Sequence, residues 1–152
     1  MTKRFLLVGL LILAVCTGVA QAAGKPAKHT VSEALSIRVL TSNSTSATFT
    51  GTIKDKALGA GAVVVHATGT ADATTNAITG TGFFKNGTVS VKGSVTTTAR
   101  ADGSGFDYAG TATAVKGTGV LKGVTGKLKL VGSATSSDPA FQTYTITGSL
   151  TY

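Results

Sequence analysis

From Val31 onward, apolar residues recur at every second position in segment after segment, with threonine, serine and lysine between them. Ala47, Phe49, Gly51 and Ile53 share one parity, as do Val63, Val65, Ala67 and Gly69, and then Ile78, Gly80, Gly82 and Phe84. The pattern continues through Val89, Val91, Gly93 and Val95, through Phe106, Tyr108, Gly110, Ala112 and Ala114, and through Leu128 and Leu130. It closes with Tyr144, Ile146, Gly148, Leu150 and Tyr152. A period of two is that of a strand with one buried and one wetted face. Segments near 46–54, 60–70, 76–84, 88–98, 105–115, 118–122, 126–133 and 141–151 make about eight strands at the spacing of a sandwich or barrel. Ser36–Thr41 adds an edge strand.

Helix is disfavoured throughout, because threonine and valine are stiff at χ1 and glycine is costly in a helix interior. The one helical turn expected is near Val31–Leu35. Asn86-Gly87 predicts a two-residue hairpin turn in which both residues take positive φ. Ala101-Asp102-Gly103 and Ser136-Ser137-Asp138-Pro139 mark further reversals. Thr-Gly-Thr and its variants recur at Gly51, Gly69, Gly80 and Gly148 on the apolar parity, where glycine serves close backbone approach and strong coiling. The expected fold is therefore all-β, an antiparallel barrel of about eight strands with almost no helix, occupying residues 35–152 as one domain.

The first residues belong to a different class. Met1–Arg4 is short and basic, Phe5–Val15 is continuously apolar, and Ala20-Gln21-Ala22 places small residues as a signal peptidase requires. Residues 1–22 read as a signal peptide removed after Ala22, which predicts a secreted or periplasmic protein. The apolar run is shorter than the roughly 20 residues of a membrane-spanning helix. Cys16, the only cysteine, leaves with this segment; Val15 before it fits a lipoprotein acylation site poorly. The mature chain then has no thiol for a disulfide, a metal or nucleophilic catalysis. Residues 23–34, with Gly24, Pro26 and two lysines, read as a flexible arm without periodicity.

The formal net charge is +8 at pH 7, from 14 basic and 6 acidic residues. Such a balance favours anionic cell-surface material as a partner. Because the basic residues are scattered singly, nucleic acid is not an expected partner.

Lys116–Val131 is the stretch with the clearest internal design. Gly117-Thr118-Gly119-Val120-Leu121-Lys122-Gly123 superficially matches a dinucleotide-binding glycine pattern, but that pattern needs a following helix to offer its amides. Lys127–Val131 alternates as a strand, so the nucleotide reading fails. The stretch instead resembles the Gly-Thr-Gly-x-Phe-x-Gly-x-x-Gly signature of the allene oxide cyclase and dirigent barrel-like group, including small secreted bacterial members. Gly117, Thr118, Gly119, Gly123 and Gly126 match, with Leu121 in place of the usual phenylalanine. Phe141–Leu150 also resembles the last strand of those members. The resemblance implies an eight-stranded antiparallel barrel, and characterised members guide cyclisation or coupling of apolar intermediates inside its cavity.

Strand parity assigns no catalytic residue. Asp55, Asp72, Asp102 and Asp138 fall in expected turns, Asp107 alternates away from Phe106 and Tyr108, and Glu33 precedes the expected barrel. The acidic residues of the cyclases and dirigent proteins have no counterparts that can be mapped here. His29 and His66 have no partner ligands for a metal, and no metal or cofactor is expected. The inward candidates for ligand binding are Phe49, Phe106, Tyr108 and Tyr144, the last two with phenols that can orient a molecule.

Three functions follow. The first is a non-enzymatic barrel acting structurally or by binding a small apolar ligand or an anionic surface. The second is a cyclase-like enzyme acting on an apolar intermediate in the cavity. The third is a small outer-membrane barrel, against which stands the absence of tryptophan and the presence of only three tyrosines for its aromatic girdles.

Overall fold

The computed structural model describes residues 25–69 and 73–152. The signal peptide expected at residues 1–22 and the turn residue Asp72 lie outside the described residues. Eight strands run in sequence order: β1 (Lys28–Ser42), β2 (Ser46–Asp55), β3 (Gly59–Thr68), β4 (Thr75–Phe84), β5 (Gly87–Ala99), β6 (Gly105–Gly117), β7 (Thr125–Thr135) and β8 (Asp138–Thr151). Each pairs antiparallel with the next, and β8 pairs with β1 to close the barrel. Closure leaves no edge strand, which removes the exposed ladder groups that invite aggregation.

The strand count matches the expectation, but its membership differs. Residues 118–122 are not a strand: Gly119–Leu121 forms one 3-10 turn. The place of that strand is taken by β1, which begins at Lys28 within the stretch read as a flexible arm. Neither the edge strand at Ser36–Thr41 nor the helical turn near Val31–Leu35 survives as such, because both lie inside this one strand of 15 residues. Its partners explain it. Pairing runs continuously from Lys28 opposite Thr151 to Arg38 opposite Phe141, and on the other side Glu33 through Ser42 pairs with β2. Long-range ladders on both flanks organise a segment whose own residues signal little. At its start His29 stacks on Tyr152, with ring centroids 4.2 Å apart.

Inward positions carry the core. Val31, Leu35, Ile37, Ile53, Val63, Ile78, Phe84, Leu128, Leu130, Ile146 and Leu150 are all buried, whereas Lys127 and Lys129 between the β7 leucines are exposed. The apolar face is thus turned inward, the reverse of a transmembrane barrel, whose apolar band faces lipid. No helix among the described residues is long and apolar enough to cross a membrane.

The turns follow local chemistry. Asp55 accepts hydrogen bonds from the amides of Ala57 (2.8 Å) and Leu58 (2.7 Å), Asn43 from those of Thr45 and Ser46, and Asp102 from that of Ser104. The hairpin between β4 and β5 is displaced by one residue from expectation. Phe84 faces Gly87 across Lys85-Asn86, and no non-glycine residue among those described has positive φ. Asn86 is held in place by another contact, since its carbonyl accepts the Val120 amide at 3.0 Å.

The glycine-rich stretch closes one end of the barrel. The Thr118 amide donates to the Thr88 carbonyl at 3.0 Å, and the Thr118 hydroxyl accepts from the Thr88 amide at 3.1 Å. Gly119 has φ +60, and a Cβ there would collide with the Asn86 carbonyl oxygen, so only glycine fits this approach. The turn so formed drives Leu121 to complete burial, with 0% of its surface exposed, and Val124 is buried beside it in the chain. Gly117 and Gly126 stand at the two strand ends, and Gly123 takes φ +80 between them.

Candidate functional site

The eight inward faces do not fill the barrel. A cavity of about 460 Å³ runs along its interior. It reaches Asn43, Ser44 and Thr45 of the β1–β2 connection and Pro139 at the start of β8, all exposed, so it opens at that end. At the opposite end Val31, Phe84, Leu121 and Val124 are buried and do not border it. They form the floor. Eight strands make a barrel just wide enough either to pack solid or to hold one small ligand; the glycines and alanines at inward positions leave this one hollow.

Phe49, Phe106, Tyr108 and Tyr144 all border the cavity. Two of them make a pair: the Tyr108 and Tyr144 rings lie 5.5 Å apart at 34°. They reach each other across Gly132, which is opposite Tyr108 on one side and Tyr144 on the other. A Cβ at Gly132 would collide with the Tyr144 ring, so glycine is what lets that ring lie against the sheet. The Tyr144 hydroxyl donates to Gln142 Oε1 at 2.8 Å. Burial, with a smaller contribution from Tyr108, pushes the Tyr144 phenol well above its ordinary value. Burial also raises Tyr108. Both phenols are therefore neutral donors at any physiological pH. The Tyr108 hydroxyl makes no hydrogen bond among the described residues, and it belongs to a residue of the cavity wall.

The interior also holds polar groups that strand parity placed elsewhere. Glu33 does not precede the barrel: it sits in β1, 5% exposed, and borders the cavity. Asp55, expected in a turn, caps that turn and is itself buried. The two residues are directly opposed in the β1–β2 ladder, so two carboxyl groups meet near the barrel floor. The reading that the inward faces carry no carboxylate is thereby corrected. Burial first, and the neighbouring Asp55 second, push the Glu33 carboxyl up to about 7. Gln142, on the parity of Tyr144 and Ile146, is the third buried polar residue. The signal for Glu33 was present in the alternation Val31, Glu33, Leu35, Ile37, Val39, which continues through the acidic residue. The signal for Asp55 was its parity with Phe49 and Ile53.

Other candidates stay outside the cavity. Asp107 is exposed and paired with Arg100 at 2.6 Å, His66 is exposed and bonded to Thr48 at 3.0 Å, and Asp138 pairs with Arg38 at 2.9 Å. No cluster of metal-ligating side chains occurs among the described residues. No family model, no curated protein and no solved structure matches the chain.

Proposed function

We propose that the protein is an exported barrel that holds one small, largely apolar molecule in its interior. The observation that carries this reading is the open cavity of about 460 Å³ walled mainly by aliphatic and aromatic side chains, a size typical of small-molecule sites. A purely structural barrel of eight strands gains stability by filling its interior, whereas this one keeps space and opens it to solvent. Export rests on the leader-like residues 1–22; it predicts recovery of the shortened chain in periplasm or culture fluid without detergent, and retention of the leader in the cytoplasm would remove it.

Binding is tested by closing the cavity. Gly80 lies on its wall, and a Cβ there would stand 3.4 Å from Val91 Cγ2 and 3.5 Å from Val65 Cγ2, ordinary contacts. Gly80→Leu therefore fits the strand and extends its remaining atoms into the space. The expected result is fluorescence enhancement of a neutral apolar dye such as phenylnaphthylamine by the wild type, and at least a tenfold loss of dye affinity in Gly80→Leu at unchanged or higher melting temperature. Equal dye binding by both proteins would place the dye elsewhere and defeat the reading.

The resemblance of Lys116–Val131 to the allene oxide cyclase and dirigent barrel-like group supports the same use of the interior. It also supports a second reading, cyclase-like turnover of an apolar intermediate, which one observation favours: an acidic group, Glu33, reaches the cavity. Turnover of such an intermediate that is lost in Gly80→Leu would establish it.

A further inference from the structure

Glu33 is 95% removed from solvent by its 5% exposure, yet among the described residues its carboxyl has no hydrogen-bond partner and no orphaned, fully enclosed polar side-chain atom occurs. Both facts are met if the carboxyl opens onto the cavity that Glu33 borders. No lysine, arginine or histidine lines that cavity. A buried carboxylate without a cation or hydrogen bonds is costly, and a second carboxyl directly across the ladder, that of Asp55, adds negative potential. Asp55 is engaged with its own turn amides and does not border the cavity. The pair therefore repels an anionic group, offers a neutral group one hydrogen bond, and attracts a cation through both charges. Exposed lysines such as Lys127 and Lys129 alternate with the inward residues and so stand on the other side of the sheet.

Above this acidic end the wall is aliphatic and aromatic. Leu35, Ile37, Ile53 and Ile146 line it. Gln142 lies opposite Ile37, four residues along β1 from Glu33, or about 13 Å of strand. Gln142 thus stands well apart from Glu33 with aliphatic side chains between, while Tyr144, opposite Leu35, stands one inward position beyond Glu33 and donates its hydroxyl to Gln142.

We propose that the cavity takes a small apolar amine, bound as its ammonium against the Glu33 carboxylate, with its hydrocarbon body along the aliphatic wall toward Tyr108 and Tyr144. The inference rests on the ligand-binding reading of the cavity and adds the chemical class of the ligand. The titratable group directly opposite Glu33 is Asp55 on β2; Tyr108 on β6 and Tyr144 on β8 share the cavity wall with it, and Tyr152, whose phenol feels Asp55, stacks on His29 at the start of β1. The tyrosines are held neutral by burial, so ionisation of Glu33 is what an entering ammonium couples to. Since burial and Asp55 raise the Glu33 carboxyl, amine binding tightens with rising pH until Glu33 is ionised in the free protein.

Calorimetric titration of the full mature chain with phenylbutylamine and with the isosteric neutral phenylbutanol tests this. The amine is expected to bind at least about tenfold more tightly than the alcohol at about pH 8, as suits a charge-assisted contact. Below about pH 7 its affinity should fall by about tenfold per pH unit. Glu33→Gln should bring the amine down to the affinity of the alcohol and leave the alcohol unchanged. Asp55→Asn, which keeps an oxygen for the turn amides, should move the midpoint of the pH dependence to lower pH, a change that a merely structural role of Asp55 would not produce. Equal affinity of amine and alcohol, or an amine preference that survives Glu33→Gln, overturns the proposal while leaving the cavity a ligand site. Binding of neither compound, together with failure of the dye, overturns both readings.

Discussion

Glu33→Gln is expected to stabilise the protein by about 3 kcal/mol at about pH 8 and to leave its stability nearly unchanged at about pH 4. Glu33 is buried beside Asp55 and its carboxyl is raised from 4.5 to about 7. Folding therefore favours the protonated form. Below 4.5 the residue is neutral in both folded and unfolded chains, and its contribution is fully present. As pH rises from 4.5 through about 7 the unfolded chain ionises first, and that contribution is lost. At ~1.4 kcal/mol per pKa unit, the interval amounts to about 3 kcal/mol. Glutamine keeps the shape and cannot ionise, so the wild type should lose stability across this window and the variant should not. Urea denaturation at several pH values measures both curves. Parallel curves would show that Glu33 titrates as an ordinary exposed carboxylate. A protein that retains such a destabilising acid at the wall of an open cavity fits the pattern in which stability is given up at a functional site.

Leu121→Ala should cost about 2–5 kcal/mol, the range for truncating a buried leucine, with Val120→Ala as its control. The two residues are adjacent in the same 3-10 turn, but Leu121 is 0% exposed whereas Val120 is 58% exposed. The turn is pinned to the start of β5 by Thr118 and by the Val120 amide on Asn86, so the site cannot collapse freely onto the space left by the lost atoms. Exposed Val120 should cost no more than about 0.5 kcal/mol. Denaturation midpoints at an unchanged m-value decide between this and a turn that merely decorates the barrel end, for which both substitutions would be mild. A floor that matters in this way also explains the glycines around it: Gly117 and Gly119 let backbone pass close against Leu121 and Asn86, and Gly123 supplies a positive φ.

The motif carries structure rather than chemistry, which is consistent with its reading from the sequence. Residues 118–122, expected as a strand, are a turn. A residue with φ +60 at Gly119 and the bond from the Leu121 amide to the Thr118 carbonyl at 3.1 Å interrupt the ladder there. The apolar parity of β2 through β8 was legible because a half-buried strand writes its two faces directly into alternate residues. Phe49, Phe106, Tyr108 and Tyr144 were found by that rule alone, and they do border the cavity.

The amino-acid sequence by itself determined that this chain is all-β, where seven of its strands lie, where most of them turn, and which of their residues point to the core. Those properties depend on neighbours one or two positions away. Tertiary structure alone decided that β1 starts at Lys28, because that strand is held by β8, more than a hundred residues distant. For the same reason it decided that Glu33 faces Asp55 inside the barrel, that Gly132 allows the two tyrosines to meet, and that the interior stays open. Each is a relation between strands set by register and closure, and an alternating pattern specifies a face without saying what stands opposite it.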